Sequence, residues 1–301
     1  MTVALPQVKP QPRSWLFVPA NDERKLDKAF ASGADALLID LEDSVAADAK
    51  PGARQIASRF LAAHAGHQGA PALFVRVNDL STGLIRADLD AVLPHGPAGI
   101  MLPKVNSRAD VATCANLISD IGGADADEVS IVAIATETPL AMLQMHSYAD
   151  GHPRLEGLAW GAEDLSAELG ASDTRDGAGN FTSPFMLARN LCLFAAHACS
   201  AQPIDSIYAD FRDEAGLRRE AVEAARDGFT GKMAIHPAQI PAINEAFTPA
   251  PEILAEAQAI VDAFAAHPGA GTIGLNGRMF DRPHLIRSLR LLARATASQV
   301  Y

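Results

Sequence analysis

Between Ser14 and Pro237 the chain repeats one motif eight times: a short apolar run, a turn, then an amphipathic helix, with no close sequence repeat between units. Apolar runs of this length bounded by turn residues read as strands buried on both faces. Strands alternating with helices imply a parallel sheet, and eight units imply closure into a (β/α)8 TIM barrel. An open doubly wound sheet is the rival topology. The strand candidates are 14–18, 36–41, 72–77, 99–102, the runs opening at Ile131 and Leu155, 203–207 and 231–235. Helices are expected from Asp22 to the stop at Gly33, then over 51–65, 108–121, 185–200 and 214–227. The longest connection holds the polar, Gly-rich stretch SDTRDGAGNF, 172–181. Residues 1–13 read as a Pro-rich tail, 14–247 as the barrel, and 248–301 as a helical extension with the reach of a lid.

In a parallel barrel the chemistry sits on the rim at the strand C-termini. Here that rim carries Asp40, Glu42 and Asp43 from the second strand, Arg76 from the third and Lys104 after Pro103 from the fourth. Glu137 follows the fifth, Glu163 and Asp164 the sixth, Asp205 the seventh, and Lys232 and His236 flank the eighth. Glu137 ends the run IVAIATETP, and Asp164 ends its counterpart LEGLAWGAEDL one unit later. Two carboxylates at one rim repel unless a positive charge lies between them. A hard dication such as Mg²⁺ supplies it and keeps positions open for water and substrate oxygens. The same residues have plainer readings: Glu137 as a helix cap, Arg76 as an ion-pair partner of Glu42 or Asp43, Lys104 and Lys232 as rim salt bridges, His236 as a helix-start hydrogen bonder.

A net charge of −11 disfavours nonspecific nucleic-acid binding, though local Arg and Lys can still face an anionic ligand. Cys114, Cys192 and Cys199 have no metal-type spacing, and three is the wrong number for a disulfide framework. His146 and His152 lack the HExxH spacing of a zinc site, and GAGN at 177–180 lacks a dinucleotide fingerprint's context. No run of apolar residues is long enough to cross a membrane. A soluble, reducing, cytoplasmic setting is therefore expected.

Several stretches in order carry a family resemblance: RSWLFVPANDERKLDKA, ADALLIDLEDSV followed by Lys50 and Ala53-Arg54, VRVND, GIMLPKV, ATETP, WGAEDLSAELG, GKMAIHPAQI and GRMFDRP. Together, from about residue 13 to 297, they resemble the citrate lyase beta subunit-like family, which includes malyl-CoA and citramalyl-CoA lyases of the wider HpcH/HpaI aldolase group. The resemblance implies that Glu137 and Asp164 are Mg²⁺ ligands and that Arg76 contacts substrate and enolate. It implies that Glu42 and Asp43 hold metal-bound waters. Arg24, Lys28, Lys232 and His236 fall near the CoA arm. Asp281 matches an acid/base Asp that several members deliver from an adjacent subunit, so a homo-oligomer (trimer or dimer of trimers) is expected.

Asp40, Pro103 and Lys104 join Arg76 and Glu137 in the expected substrate-binding set. The function expected is a Mg²⁺-dependent lyase that cleaves or forms a hydroxyacyl-CoA thioester, with an acyl-CoA and a 2-oxo acid as the other partners. Three alternatives stand beside it. They are the beta subunit of a multicomponent citrate lyase acting on a carrier-protein thioester, an aldolase on free pyruvate, and an inactive barrel kept as a binding module.

Overall fold

The computed structural model describes residues 11–67 and 69–297. Eight parallel strands close in chain order: β1 (Ser14–Pro19), β2 (Ala36–Asp40), β3 (Ala72–Arg76), β4 (Gly99–Leu102), β5 (Ser130–Ile134), β6 (Leu155–Ala159), β7 (Gln202–Asp205) and β8 (Gly231–Ala234), with β8 pairing back onto β1. The first ten residues of the expected tail lie outside the described residues. Pro12 and Arg13 are tied down: Trp15 Nε1 and Gln202 Nε2 donate to the Pro12 carbonyl, and Arg13 pairs with Asp35 at 2.8 Å.

Side-chain alternation along each strand sorts the core into two layers. Trp15, Leu38, Phe74, Met101, Val132, Ala159, Ile204 and Met233 fill the barrel interior. Their neighbours Leu16, Leu37, Val75, Ile100, Ile131 and Leu158 face the helices. Trp15 packs edge-on against Phe74 with ring centroids 4.8 Å apart. Gly99, opposite, leaves room for that ring: a Cβ there would lie 2.3 Å from it.

The helical layer is α1 (Glu23–Phe30), α2 (Lys50–His64), α3 (Ile85–Val92), α4 (Arg108–Gly122), α5 (Pro139–Gln144), α6 (Glu163–Leu169), α7 (Ser183–Ala198), α8 (Glu214–Asp227) and α9 (Ile240–Phe247). Asp22 starts α1 as expected, its side chain accepting from Lys25 N. The expected helices include none at α3, α6 or α9. The second omission matters, because it places Asp164 in the first turn of a helix rather than at a strand end. The excursion after α6 is a short hairpin in which Arg175 bridges to Phe181. The Arg175 guanidinium lies 3.8 Å above the Phe181 ring, which in turn packs on Trp160.

Beyond α9, helices α10 (Pro251–Ala266) and α11 (Arg282–Ala297) pack together around an antiparallel hairpin, β9 (Thr272–Leu275) and β10 (Arg278–Asp281). Ile260, Phe264, Ile273 and Phe280 give this extension an apolar cluster of its own. The hairpin lies in the Gly-rich stretch where no element was assigned. Its turn is Asn276-Gly277, both left-handed at φ 51° and 76°, the pairing that favours a tight two-residue hairpin. Among the described residues no helix is long and apolar enough to cross a membrane.

Candidate active site

The mouth is organised from β2 and β3. Asp40 and Arg76 are register partners, and both continue the inward-facing series of their strands, after Leu38 and Phe74. Arg76 Nε donates to Asp40 Oδ1 at 2.8 Å and Nη2 to Oδ2 at 2.7 Å. This two-point pairing holds the guanidinium flat 4.8 Å above the Phe17 ring, with Nη1 turned toward Glu42 at 2.8 Å and Asp43 at 3.5 Å. Burial alone would raise the Asp40 carboxyl, yet the Arg76 bonds outweigh it and hold Asp40 below the usual carboxylate range.

Glu42 is the contested group. It is buried, and Glu42 Oε2, though near Arg76, has no hydrogen-bond partner of good geometry among the described residues. Burial, with Asp43 pressing against it, pushes its carboxyl up to about 7 despite Arg76. The Glu42 backbone is pinned from outside the barrel. Lys50 Nζ donates to the carbonyls of Leu41 and Glu42 at 2.8 and 2.9 Å and to Asn78 Oδ1 at 2.6 Å. Asn78 donates to Asp88, which pairs with Arg54 at 2.7 Å. The sequence reading named Lys50 and Arg54 only within a matching stretch and missed this brace. Its one signal was the polar pair Asn78-Asp79 directly after a buried strand.

Glu137 and Asp164 are joined through Lys104. The Lys104 amide donates to Glu137 Oε2 at 2.5 Å, and its Nζ lies 3.4 Å from Asp164 Oδ1 and hydrogen-bonds Glu42 Oε1. The helix-cap reading of Glu137 does not hold, because Thr138 caps α5 by accepting from Ala141 N. The Glu137 side chain turns instead to the Lys104 amide. Burial pushes its carboxyl up to about 8, the Lys104 amide opposing and Asp164 adding to the rise. Buried Pro103 precedes Lys104 and sets the turn.

These residues fit a hard dication. The donors are carboxylate oxygens, one of them buried and held well above its normal pKa by desolvation and a like charge, a situation a 2+ ion relieves. Among the described residues no three His, Cys, Asp or Glu converge as a ready cage. Mg²⁺ commonly binds through one or two carboxylates, with water and substrate completing its shell.

The structure does not bring the other expected residues into this cluster. Asp205 and Lys232 lie one position out of phase with the inward-facing Ile204 and Met233, so they face the helix layer and not the rim. Lys232 is fully buried, its Nζ 2.7 Å from Asp205 and 2.8 Å from Glu220. That corrects the expectation that it borders the CoA arm: a side chain with no exposure cannot meet an incoming ligand. His236 follows its plainer reading, with Nδ1 accepting from Ala238 N at the start of a short helical turn, while its ring stacks on Phe211 at 4.6 Å. Arg24 and Lys28 are exposed one turn apart on α1. Asp281 ends β10 in the extension and hydrogen-bonds His284, which holds its carboxyl below the usual range.

The geometry can be set beside known proteins. Residues 13–237 match the family model described as HpcH/HpaI aldolase/citrate lyase, and 187–300 match a model described as C-C bond lyase of the TIM-barrel fold. A (3S)-malyl-CoA thioesterase of Cereibacter sphaeroides is 36% identical, the match covering 95% of each chain. A mitochondrial citramalyl-CoA lyase of Rattus norvegicus is 33% identical over 95% of this chain and 86% of its own. Among solved structures, the protein CitE of Mycobacterium tuberculosis, in complex with magnesium, acetoacetate and coenzyme A, superposes with a TM-score of 0.76 at 32% identity, covering 94% of this chain and 98% of that one. The closed parallel barrel, the carboxylates at its mouth and a family match over most of its length agree: the chain belongs to the HpcH/HpaI aldolase/citrate lyase family.

Proposed function

We propose that this chain is a Mg²⁺-dependent carbon–carbon lyase that cleaves, or in reverse forms, a hydroxyacyl-CoA thioester of the malyl-CoA or citramalyl-CoA kind, with an acyl-CoA and a 2-oxo acid as the other species. One observation carries the reading: Glu137 and Asp164 meet around Lys104 at the mouth, beside the fixed guanidinium of Arg76. The relatives named for malyl-CoA and citramalyl-CoA, and the solved relative holding magnesium and coenzyme A, support it.

Glu137 and Asp164 are the residues that would hold the cation, and Glu42 and Asp43 would accept hydrogen bonds from its waters. Once bound, Mg²⁺ supplies a Lewis acid and a template for the oxygens of the half that becomes the oxo acid. Cleavage breaks the bond between the thioester α-carbon and the carbinol carbon. The hydroxyl passes its proton to solvent water as its C–O becomes the carbonyl of the oxo acid, and the bonding pair of the broken C–C bond passes into the thioester as an enolate. Arg76 meets that charge at the enolate oxygen. Asp40 fixes its plane and keeps it preorganised, an arrangement worth several kcal/mol out of water. Asp281 relays a proton from solvent to the enolate carbon, and in the reverse direction removes it.

Asp281 sits in an extension with its own core, and its neighbour Met279 is 68% exposed, so we assign its action to the mouth of another copy in a homo-oligomer. Exposed Arg24 and Lys28, with His236, are the residues proposed to meet CoA. The lack of disulfide-type cysteine spacing supports a cytoplasmic setting.

The test is a mass-spectrometric screen of hydroxyacyl-CoA thioesters with Mg²⁺ and with chelator. Cleavage to an acyl-CoA and an oxo acid, abolished by chelator, is the expected result. Free hydroxy acid plus CoA would instead mark thioester hydrolysis, as the name of the Cereibacter relative describes. Turnover that persists in chelator overturns the metal assignment. Mixing inactive Asp281→Ala with inactive Glu137→Gln subunits restores activity if Asp281 works across subunits, and restores none if it works within one.

A further inference from the structure

Lys104 has a backbone that its residue type resists. Its φ is 53°, and it shares a positive φ with only Ser200 and Asn276 among the described non-glycine residues. A left-handed backbone is strained for a non-glycine residue and persists where its surroundings impose it. Here one turn delivers two contacts at once: the amide to Glu137, and the ammonium to a carboxylate cluster of Glu42, Asp43 at 3.5 Å and Asp164 at 3.4 Å. The Glu42 contact is a hydrogen bond, whereas those to Asp43 and Asp164 are longer ion pairs. The side chain is 29% exposed, so it can turn outward without breaking the core.

We propose that the Lys104 ammonium is a built-in competitor of the divalent cation: it neutralises Asp164 and its acidic neighbours, and thereby sets how tightly the metal is held. This rests on the assignment of Glu137 and Asp164 as the metal ligands. A charge of 1+ beside Asp164 opposes a 2+ ion seeking the same oxygen, and their mutual repulsion in a partly buried site is large compared with thermal energy. By reciprocity, the metal loosens the ammonium as much as the ammonium loosens the metal. Lys104 is a positioning residue in this account, acting through the carboxylates it holds.

Calorimetric titration of the full chain with Mg²⁺ and Mn²⁺, without substrate, tests this. Lys104→Gln is expected to bind both ions about tenfold or more tighter than wild type, whereas Lys104→Arg, which keeps the charge, stays within about threefold. Equal or weaker binding by Lys104→Gln overturns the proposal. If wild type takes up neither ion, the ligand assignment itself fails, which is a separate result. Should Lys104→Gln not fold, labelling of wild type with acetic anhydride gives the answer. Lys104 is expected to be acetylated faster with saturating Mg²⁺ than with chelator, and an unchanged or slower rate overturns the proposal.

Discussion

Asp40 and Arg76 face each other across β2 and β3 as register partners, and their carboxylate and guanidinium meet at two points, 2.8 and 2.7 Å. Arg76 also reaches Glu42 and Asp43, so the pair anchors the β2 side of the mouth. Removing the Asp40 charge takes both short bonds from the buried guanidinium and leaves it Glu42 and the exposed Asp43 as ionic partners, which costs more than the pair contributes net. Asp40→Asn is expected to lose about 3–5 kcal/mol of stability, read as a lower denaturant midpoint. Arg76→Lys, unable to pair at two points, is expected to lower kcat by about 10²-fold or more with a smaller change in KM.

Lys50 acts at one remove. Its ammonium donates to the Leu41 and Glu42 carbonyls and to Asn78, so it sets the backbone from which Glu42 reaches Arg76 and Lys104. Lys50→Met strands buried acceptors and is expected to cost about 2–4 kcal/mol in chemical denaturation. The surviving folded fraction should show reduced kcat, because Glu42 no longer reaches Arg76 and Lys104 from a fixed backbone.

The pH dependence without metal follows from the two raised carboxyls. Glu42 is lifted from 4.5 to about 7 and Glu137 from 4.5 to about 8, in both cases first by burial. The folded protein therefore binds more protons than the unfolded chain between these limits. Their contribution to stability is fully present below about pH 4.5 and is lost as pH rises through the folded values, levelling above about pH 8. In chelator, these groups should lower Tm as pH climbs from 5 to 8, and Glu137→Gln should flatten the slope. A wild-type slope equal to that of the variant would refute the assignment.

Lys232 separates a structural role from a ligand-binding one. It is fully buried between Asp205 and Glu220, and Asp205 also accepts from Trp160 Nε1 at 2.7 Å. Lys232→Met is expected to destabilise by about 3–5 kcal/mol, since two carboxylates lose their shared cation. The folded variant should keep the wild-type KM for the CoA thioester. A raised KM with unchanged stability would return Lys232 to the CoA site.

Much of the fold was legible in one dimension. Strand and helix periods differ, so eight apolar runs alternating with amphipathic segments specify a parallel barrel, and the parity of β2 and β3 carries Asp40 and Arg76 to its mouth. Glu137 and Asp164 were readable as carboxylates closing successive units, and both meet Lys104 in the structure. Parity failed where the strands were short: β7 and β8 have four residues each, too few for the pattern to tell Asp205 and Lys232 facing the helices from the same residues facing the rim. Only the tertiary structure decided that Lys104 adopts a left-handed turn joining four acidic neighbours, and that Lys50 braces Glu42. The physical reason is that buried charges are satisfied by partners brought together by strand pairing and helix packing, and neither the spacing nor the chemistry of one segment specifies which partner arrives.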